Sequence, residues 1–258
     1  MKLLLARHGQ TEWNAAARFQ GHTDIALSER GRAQAHALGR ALRGRPVTAA
    51  YVSPMHRAIE TAEIALADAG IPCTPIEELR ELSLGQWEGC TVEEIRAREG
   101  DPYAAWLRAP LDYPPPDAEP LPAVRDRVLT AVERIAAAHG DGEALVIAHG
   151  GVISVYACHL LGCSFNHLWR LRVDNCSLTI VRPPRLVTLN DTRHLPPDLQ
   201  THAFNRGERA TTAPSRPTLS DAPARATAPP SRAMLSDAPA RATHRGGLGG
   251  RPEPPNSR

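Results

Sequence analysis

Leu3-Leu4-Leu5-Ala6-Arg7-His8-Gly9-Gln10-Thr11 is a short apolar run that ends in an arginine and a histidine. The run has the length and apolar content of a buried strand. A strand that ends this way leaves Arg7 and His8 at the carboxyl edge of a sheet, where α/β proteins bind ligands. There the arginine supplies charge, and the histidine a nitrogen nucleophile, to one phosphate. Alone, the pair reads better as an ordinary strand end with a surface Arg and a partly buried His. Other segments shift that balance.

Ala144 to Ala148 is a second buried strand, and it ends at His149-Gly150-Gly151. In a parallel sheet both endings emerge on one edge, so the two imidazoles converge from distant parts of the chain. The glycines allow a tight turn and a close backbone approach to a ligand. Gly150-Gly151 also opens a helix, whose free N–H groups favour an anion. Arg57, in the first turn after a strand at Ala50-Tyr51-Val52, belongs to the same edge. Two arginines and two histidines around one point repel each other unless an anion fills the space. Phosphate matches the guanidinium forks.

An acid completes a catalytic set. Glu81 lies in Leu79-Arg80-Glu81-Leu82-Ser83-Leu84-Gly85-Gln86-Trp87-Glu88-Gly89, a loop with apolar flanks. A carboxyl held among apolar groups keeps its proton more readily and can pass it to a leaving oxygen. Glu77, Glu78 and Glu88 compete for the role, and spacing alone does not choose among them.

Further elements alternate. Ser28 is placed to cap a helix from Glu29 to Arg43, and Ser53-Pro54 to open one to about Ala69, with Pro54 in its first turn. Pro72 to Ile76 suits a short strand and Thr91 to Glu99 a short helix. Asp101 to Pro122 is Pro-rich and is expected to be an irregular cap or lid. Val124, Val128, Val132 and Ile135 give helical spacing over Ala123 to His139, another helix follows His149 to about Leu161, and Arg170 to Leu189 holds two or three short strands. The alternation predicts an α/β fold: a three-layer sandwich with a mostly parallel central sheet and a small cap insertion at about 91–122.

Composition divides the 258 residues at about 195. From Thr201 onward there are nine Arg, four Asp or Glu and nine Pro, a formal +5 in a chain whose total is +2, so residues 1–200 carry −3. The basicity is therefore the tail's and does not indicate a nucleic-acid partner. Residues 219–227 recur at 235–243, a 16-residue repeat. Residues 196–258 are accordingly expected to be a disordered Pro/Ala/Arg-rich tail, best explained as a repeat expansion in a tolerated terminus. Five cysteines without a Cys-x-x-Cys pair fit reduced thiols in the cytoplasm. Four apolar residues before Arg7 are too few for a signal peptide, and no run approaches a membrane span.

Five ordered segments make residues 1–195 resemble the histidine phosphatase superfamily, which includes the phosphoglycerate mutases. They are Arg7 to Asn14, Leu27 to Ala35, Ser53 to Ala62, Glu81 to Gly89, and Ala148 to Gly151. The resemblance implies that His8 is the nucleophile and forms a phosphohistidine. Arg7, Arg57 and His149 would hold the phosphoryl oxygens with Asn14 assisting, and Glu81 would donate the proton and then activate water. Gln20, Gly21 and Gly150 would contact substrate; no metal or cofactor is implied. The Glu81 to Gly89 segment, the 68 residues from Glu81 to His149, and the segments Asn175 to Thr179 and Leu189 to Leu195 resemble the phosphatase branch, alpha-ribazole phosphatases included. The departures are Ala26, where the family often has proline, and Leu84, where an aromatic often precedes the glycine.

The expected partner is thus a small-molecule phosphate ester, with neither nucleic acid nor membrane; the oligomeric state is open, a homodimer included. A phosphoglycerate mutase and a non-catalytic phospholigand-binding protein are the alternatives. His22 reads as a substrate contact or as solvated, His56 as surface, and His159 and His167 as structural; Trp87, Trp106 and Trp169 read as packing. Arg170 lies one residue too far from Cys163 for a Cys-x5-Arg thiolate phosphatase loop.

Overall fold

β1 (Lys2–Arg7) is a central strand because both its faces are apolar. Leu3 and Leu5 join one hydrophobic cluster and Leu4 and Ala6 the other, on opposite sides of the sheet. β4 (Glu143–Ala148) lies beside it in parallel and splits the same way: Ala144, Val146 and Ala148 against Leu145 and Ile147. The computed structural model describes residues 1–201.

With β2 (Val47–Val52), β3 (Cys73–Pro75), β5 (Leu178–Arg182) and β6 (Arg185–Asp191), the sheet runs β3-β2-β4-β1-β5-β6. β3, β2, β4 and β1 are parallel; β5 is antiparallel to β1, and β6 to β5. Besides α1 (Glu12–Ala15), the helices are α2 (Glu29–Leu42), α3 (His56–Leu66), α4 (Val92–Arg96), α5 (Pro102–Arg108), α6 (Leu121–His139) and α7 (Gly150–Leu161). α2 and α3 cover the Leu4 face through Ala35, Leu38, Ala58 and Ala62. α6 and α7 cover the Leu3 face through Val124, Val128, Val132, Val152 and Val155. Each valine or leucine buried this way contributes about 1.5–3 kcal/mol, and each alanine less, before the entropy of ordering is counted. The architecture is the expected three-layer α/β sandwich. No helix among the described residues is long and apolar enough to cross a membrane.

Local chemistry sets the element ends. Ser28 caps α2 by accepting from Gly31 N–H at 3.1 Å, and Thr91 with Glu94 closes a capping box on α4. α2 lies so near the loop after β1 that a Cβ on Gly31 would fall 2.0 Å from the Gln10 carbonyl oxygen.

Three expectations are corrected. α3 begins at His56 with Met55 as N-cap, so Pro54 precedes the helix; the Ser53 hydroxyl caps nothing and serves the active site instead. The cap is not irregular throughout, because Pro102 occupies the first turn of α5, where its missing N–H costs nothing, and Asp101 caps Ala104 N–H at 3.1 Å. Trp106 from α5 packs against Trp169, ring centroids 4.4 Å apart, and against Phe19 and Trp87, which fastens the cap to the domain.

The third correction concerns the tail boundary. Residues 196–201 lie against the domain as a strap. Gln34 Nε2 donates to Leu199 O at 2.7 Å, Arg30 donates to Asp198 O, and Thr201 Oγ1 bonds Asn175 Oδ1 at 3.2 Å. The repeat at 219–243, and the remainder of the expected tail from 202, lie outside the described residues.

Candidate active site

Parallel pairing of β1 with β4, Arg7 opposite Ala148, brings the two strand ends together. His8 N–H donates to Ala148 O at 3.0 Å, and the His8 and His149 ring centroids are 5.1 Å apart. His8 Nδ1 bonds the Gly9 carbonyl oxygen at 2.7 Å. A carbonyl only accepts, so that bond puts the ring proton on Nδ1 and leaves a lone pair on Nε2. Burial first, then Arg57 and Arg7, hold His8 well below the usual histidine range. It is a neutral imidazole in a cationic pocket.

His149 is also depressed, by burial and then by Arg57, His8 and Arg7. Its Nε2 lies 2.7 Å from Ser53 Oγ. Met55 N–H donates to that oxygen at 3.4 Å, which leaves the Ser53 hydroxyl able to donate to His149 Nε2 or to accept from it; binding an anion calls for the tautomer in which Ser53 donates. The imidazole proton then sits on Nδ1, a buried atom with no partner. Arg7 Nε and Arg57 Nε are buried and unpartnered as well. Three of their other four nitrogens are fixed: Arg7 Nη1 to Val173 O at 2.7 Å, Arg57 Nη1 and Nη2 to Thr23 O and Gly21 O at 3.0 and 2.8 Å. Burial lowers Arg7, and takes Arg57 down to about 10. A buried donor without a partner costs about 1–3 kcal/mol, so this pocket is built to receive acceptors.

The structure separates Glu81 from its three competitors. Glu77 pairs with Arg80, and Glu78 with Arg134. Glu88 braces loops: its Oε1 accepts from Leu84 N–H, His22 N–H and Ser83 Oγ at 3.0–3.1 Å. Glu81 remains, and its negative charge acts on both Arg7 and Arg57. Its surroundings are polar, contrary to expectation: Oε1 accepts from Leu82 N–H at 3.0 Å and Oε2 from Gly151 N–H at 3.3 Å. A carboxyl placed on the first turn of α7 belongs where the helix dipole favours negative charge.

The other expected contacts are sorted in the same way. Asn14 Oδ1 accepts from Thr11 N–H at 3.1 Å and from Asn175 Nδ2 at 3.4 Å. Gln20 is buried with Oε1 unpartnered. Gly21, at φ +52°, gives its carbonyl to Arg57, and a Cβ there would strike the Glu88 carboxylate at 2.1 Å. A Cβ on Gly150 would make ordinary contact with Arg7 at 3.4 Å, whereas one on Gly151 would fall 2.0 Å from Leu82 Cδ2 and 2.5 Å from Glu81 Oε1. Gly151, not Gly150, is the position that excludes a side chain.

Sequence reasoning missed Ser53, Thr61, Asn175 and Arg127. Thr61 Oγ1 accepts from Gly9 N–H at 3.0 Å and donates to Arg57 O at 2.6 Å, joining the two arginine-bearing segments. Asn175 Nδ2 donates to His8 O at 3.1 Å. Ser53 and Thr61 lie four residues to either side of Arg57 in a segment that carries the family resemblance, which is a usable clue, and Asn175 lies in one that resembles the phosphatase branch. Arg127 lies outside those segments.

Two histidines and two arginines gather at the carboxyl edge of the sheet, and the family model of the histidine phosphatase superfamily, branch 1, matches residues 3–191. The chain belongs to the histidine phosphatase superfamily. A putative phosphoserine phosphatase of Hydrogenobacter thermophilus is 32% identical over 197 residues, 75% of this chain and 97% of that one. A probable phosphoglycerate mutase of Erwinia tasmaniensis is 31% identical over 185 residues, 70% and 84% of the two chains. Among solved structures, a putative alpha-ribazole-5'-P phosphatase of Escherichia coli superposes with a TM-score of 0.65 at 29% identity, over 74% of this chain and 96% of that one. This member of the superfamily is a phosphoric monoester hydrolase by that kinship.

Proposed function

We propose that the protein hydrolyses a small-molecule phosphate monoester through a phosphohistidine on His8. The observation that carries this reading is the neutral His8, Nε2 free, among buried donors that lack acceptors: Arg7 Nε, Arg57 Nε and His149 Nδ1. In the first step His8 Nε2 forms a bond to phosphorus while the ester P–O bond breaks, and a proton held by Glu81 passes to the leaving oxygen. In the second, Glu81 takes a proton from water, the water oxygen bonds phosphorus, and the N–P bond breaks to release phosphate. Arg7, Arg57 and His149 carry the charge on the three equatorial oxygens, the task of a metal ion in other phosphoryl-transfer enzymes. Asn14, Gln20, Gly21 and Gly150 complete the substrate pocket in this reading.

Five free cysteines support a reducing, cytoplasmic setting. The reading needs neither nucleic acid nor membrane, and assigns catalysis to the described residues alone.

A phosphate-release assay in EDTA over a panel of small phosphomonoesters, with 3-phosphoglycerate conversion in parallel, tests the reading. Release from at least one ester, lost in His8→Ala with the fold retained, is expected. Interconversion of phosphoglycerates without release would instead make the protein a mutase, and phosphate binding without either reaction would make it a phospholigand-binding protein.

A further inference from the structure

The segment carrying Glu81 is neither helix nor strand, so its carbonyls have no partners of their own. A short 3₁₀ turn at Glu77–Leu79 leads into it. One guanidinium supplies most of what is missing. Arg127 of α6 spends all five N–H groups locally: Nη1 donates to Glu78 O and Arg80 O, both at 2.7 Å, and Nη2 to Glu81 O at 3.2 Å. Nε and Nη2 also grip the Glu119 carboxylate, both at 2.8 Å, which holds the guanidinium plane in register. The Glu81 carbonyl has a second donor in His22 Nε2 at 2.7 Å. None of these bonds goes to Arg7, His8, Arg57 or His149.

We propose that Arg127 is the positioning residue for the proton donor: its planar fork fixes the backbone of Glu81, and so sets where the carboxyl meets the leaving oxygen. The proposal rests on the reading of Glu81 as acid. A lysine cannot substitute, because a point charge cannot span three carbonyls and a carboxylate. The phosphoryl pocket, built from other elements, stands without it. Loss of Arg127 therefore separates proton donation from phosphate binding, which a general loosening of the domain does not.

The test compares kcat/KM, which reports formation of the phosphohistidine and not its shared hydrolysis, for propyl phosphate, whose leaving group needs a proton, and 2,4-dinitrophenyl phosphate, whose leaving group does not. Arg127→Met and Arg127→Lys are each expected to slow the alkyl ester by roughly 10- to 100-fold, a partial loss of the roughly 10²- to 10⁴-fold that general acid catalysis supplies. The aryl ester should change by less than about three-fold, and competitive inhibition by inorganic phosphate should hold its constant. Glu81→Gln should show the same preference, and Arg127→Met in that background should add nothing. Equal slowing of both esters by Arg127→Lys, or full alkyl activity in it, overturns the proposal. Equal slowing of both by Glu81→Gln instead removes Glu81 as acid, a separate failure. If Arg127→Met does not fold, Arg127→Lys, with charge and stem retained, decides alone.

Discussion

Gly151 has no room for a side chain unless Leu82 and Glu81 move. A methyl group there would occupy space held by Leu82 Cδ2 at 2.0 Å and Glu81 Oε1 at 2.5 Å. Gly151→Ala is therefore expected to push the acid off its place and lower kcat by at least about ten-fold, since small misplacements of catalytic groups are costly. Gly150→Ala, in ordinary contact with Arg7, should change kcat by less than about three-fold, and the ratio of the two kcat values is the measurement. The sequence shows both glycines alike; only the approach of a loop some seventy residues earlier distinguishes them. The same holds for the acid. Strand ends announce Arg7, His8 and His149 because a strand's direction is legible in its apolar run. Four glutamates within twelve residues of loop carry no such direction, and it is the partners of Glu77, Glu78 and Glu88 that leave Glu81 available.

At the scale of elements, the strap at 196–201 has the largest experimental consequence. Its bonds reach the loop after β1 in two steps: Thr201 holds Asn175, which donates to His8 O; Leu199 holds Gln34, which accepts from Gln10 N–H at 2.9 Å. Asn175 and Gln34 are both buried, so removing the strap strands polar atoms at about 1–3 kcal/mol each. A chain ending at Leu195 is expected to unfold at lower denaturant and turn over more slowly than one ending at Thr201, which should match the full chain; urea titration with a parallel activity assay checks this. Hydrophobic periodicity could not reveal the strap, because polar bonds hold it. Nor could it reveal α5, whose proline looked like a breaker but sits where a helix accepts one.

For the whole molecule, the cationic pocket makes stability depend on pH. His8 and His149 resist protonation when folded and regain an ordinary value near 6.5 when unfolded. Below about that pH the unfolded chain binds more protons, so stability falls as pH drops through it; well above it the two imidazoles contribute nothing to the pH dependence. Asp191, drawn down to about 2 by its hydrogen bonds with Arg193, adds an opposite-signed residue with the same trend, felt as pH falls from the ordinary carboxylate value to about 2. The midpoint of thermal unfolding should therefore fall between pH 7.5 and 5.5, and fall less in His8→Ala. A shift of the same size in the variant would show that other groups titrate.

The strand order also carries a timetable. Leu3 pairs with Ala144 on one side and Val181 on the other, so β1 precedes both its neighbours by well over a hundred residues. During synthesis at about 5–20 residues per second, its apolar faces wait several seconds or more for their cover. Contacts of such long separation also slow refolding, because loop closure must come before any reward. His8 stands at the end of that waiting strand and His149 at the end of the late one. Regain of turnover after dilution from denaturant is then a clock for completion of the central sheet, and catalytic competence is among the last properties the chain acquires.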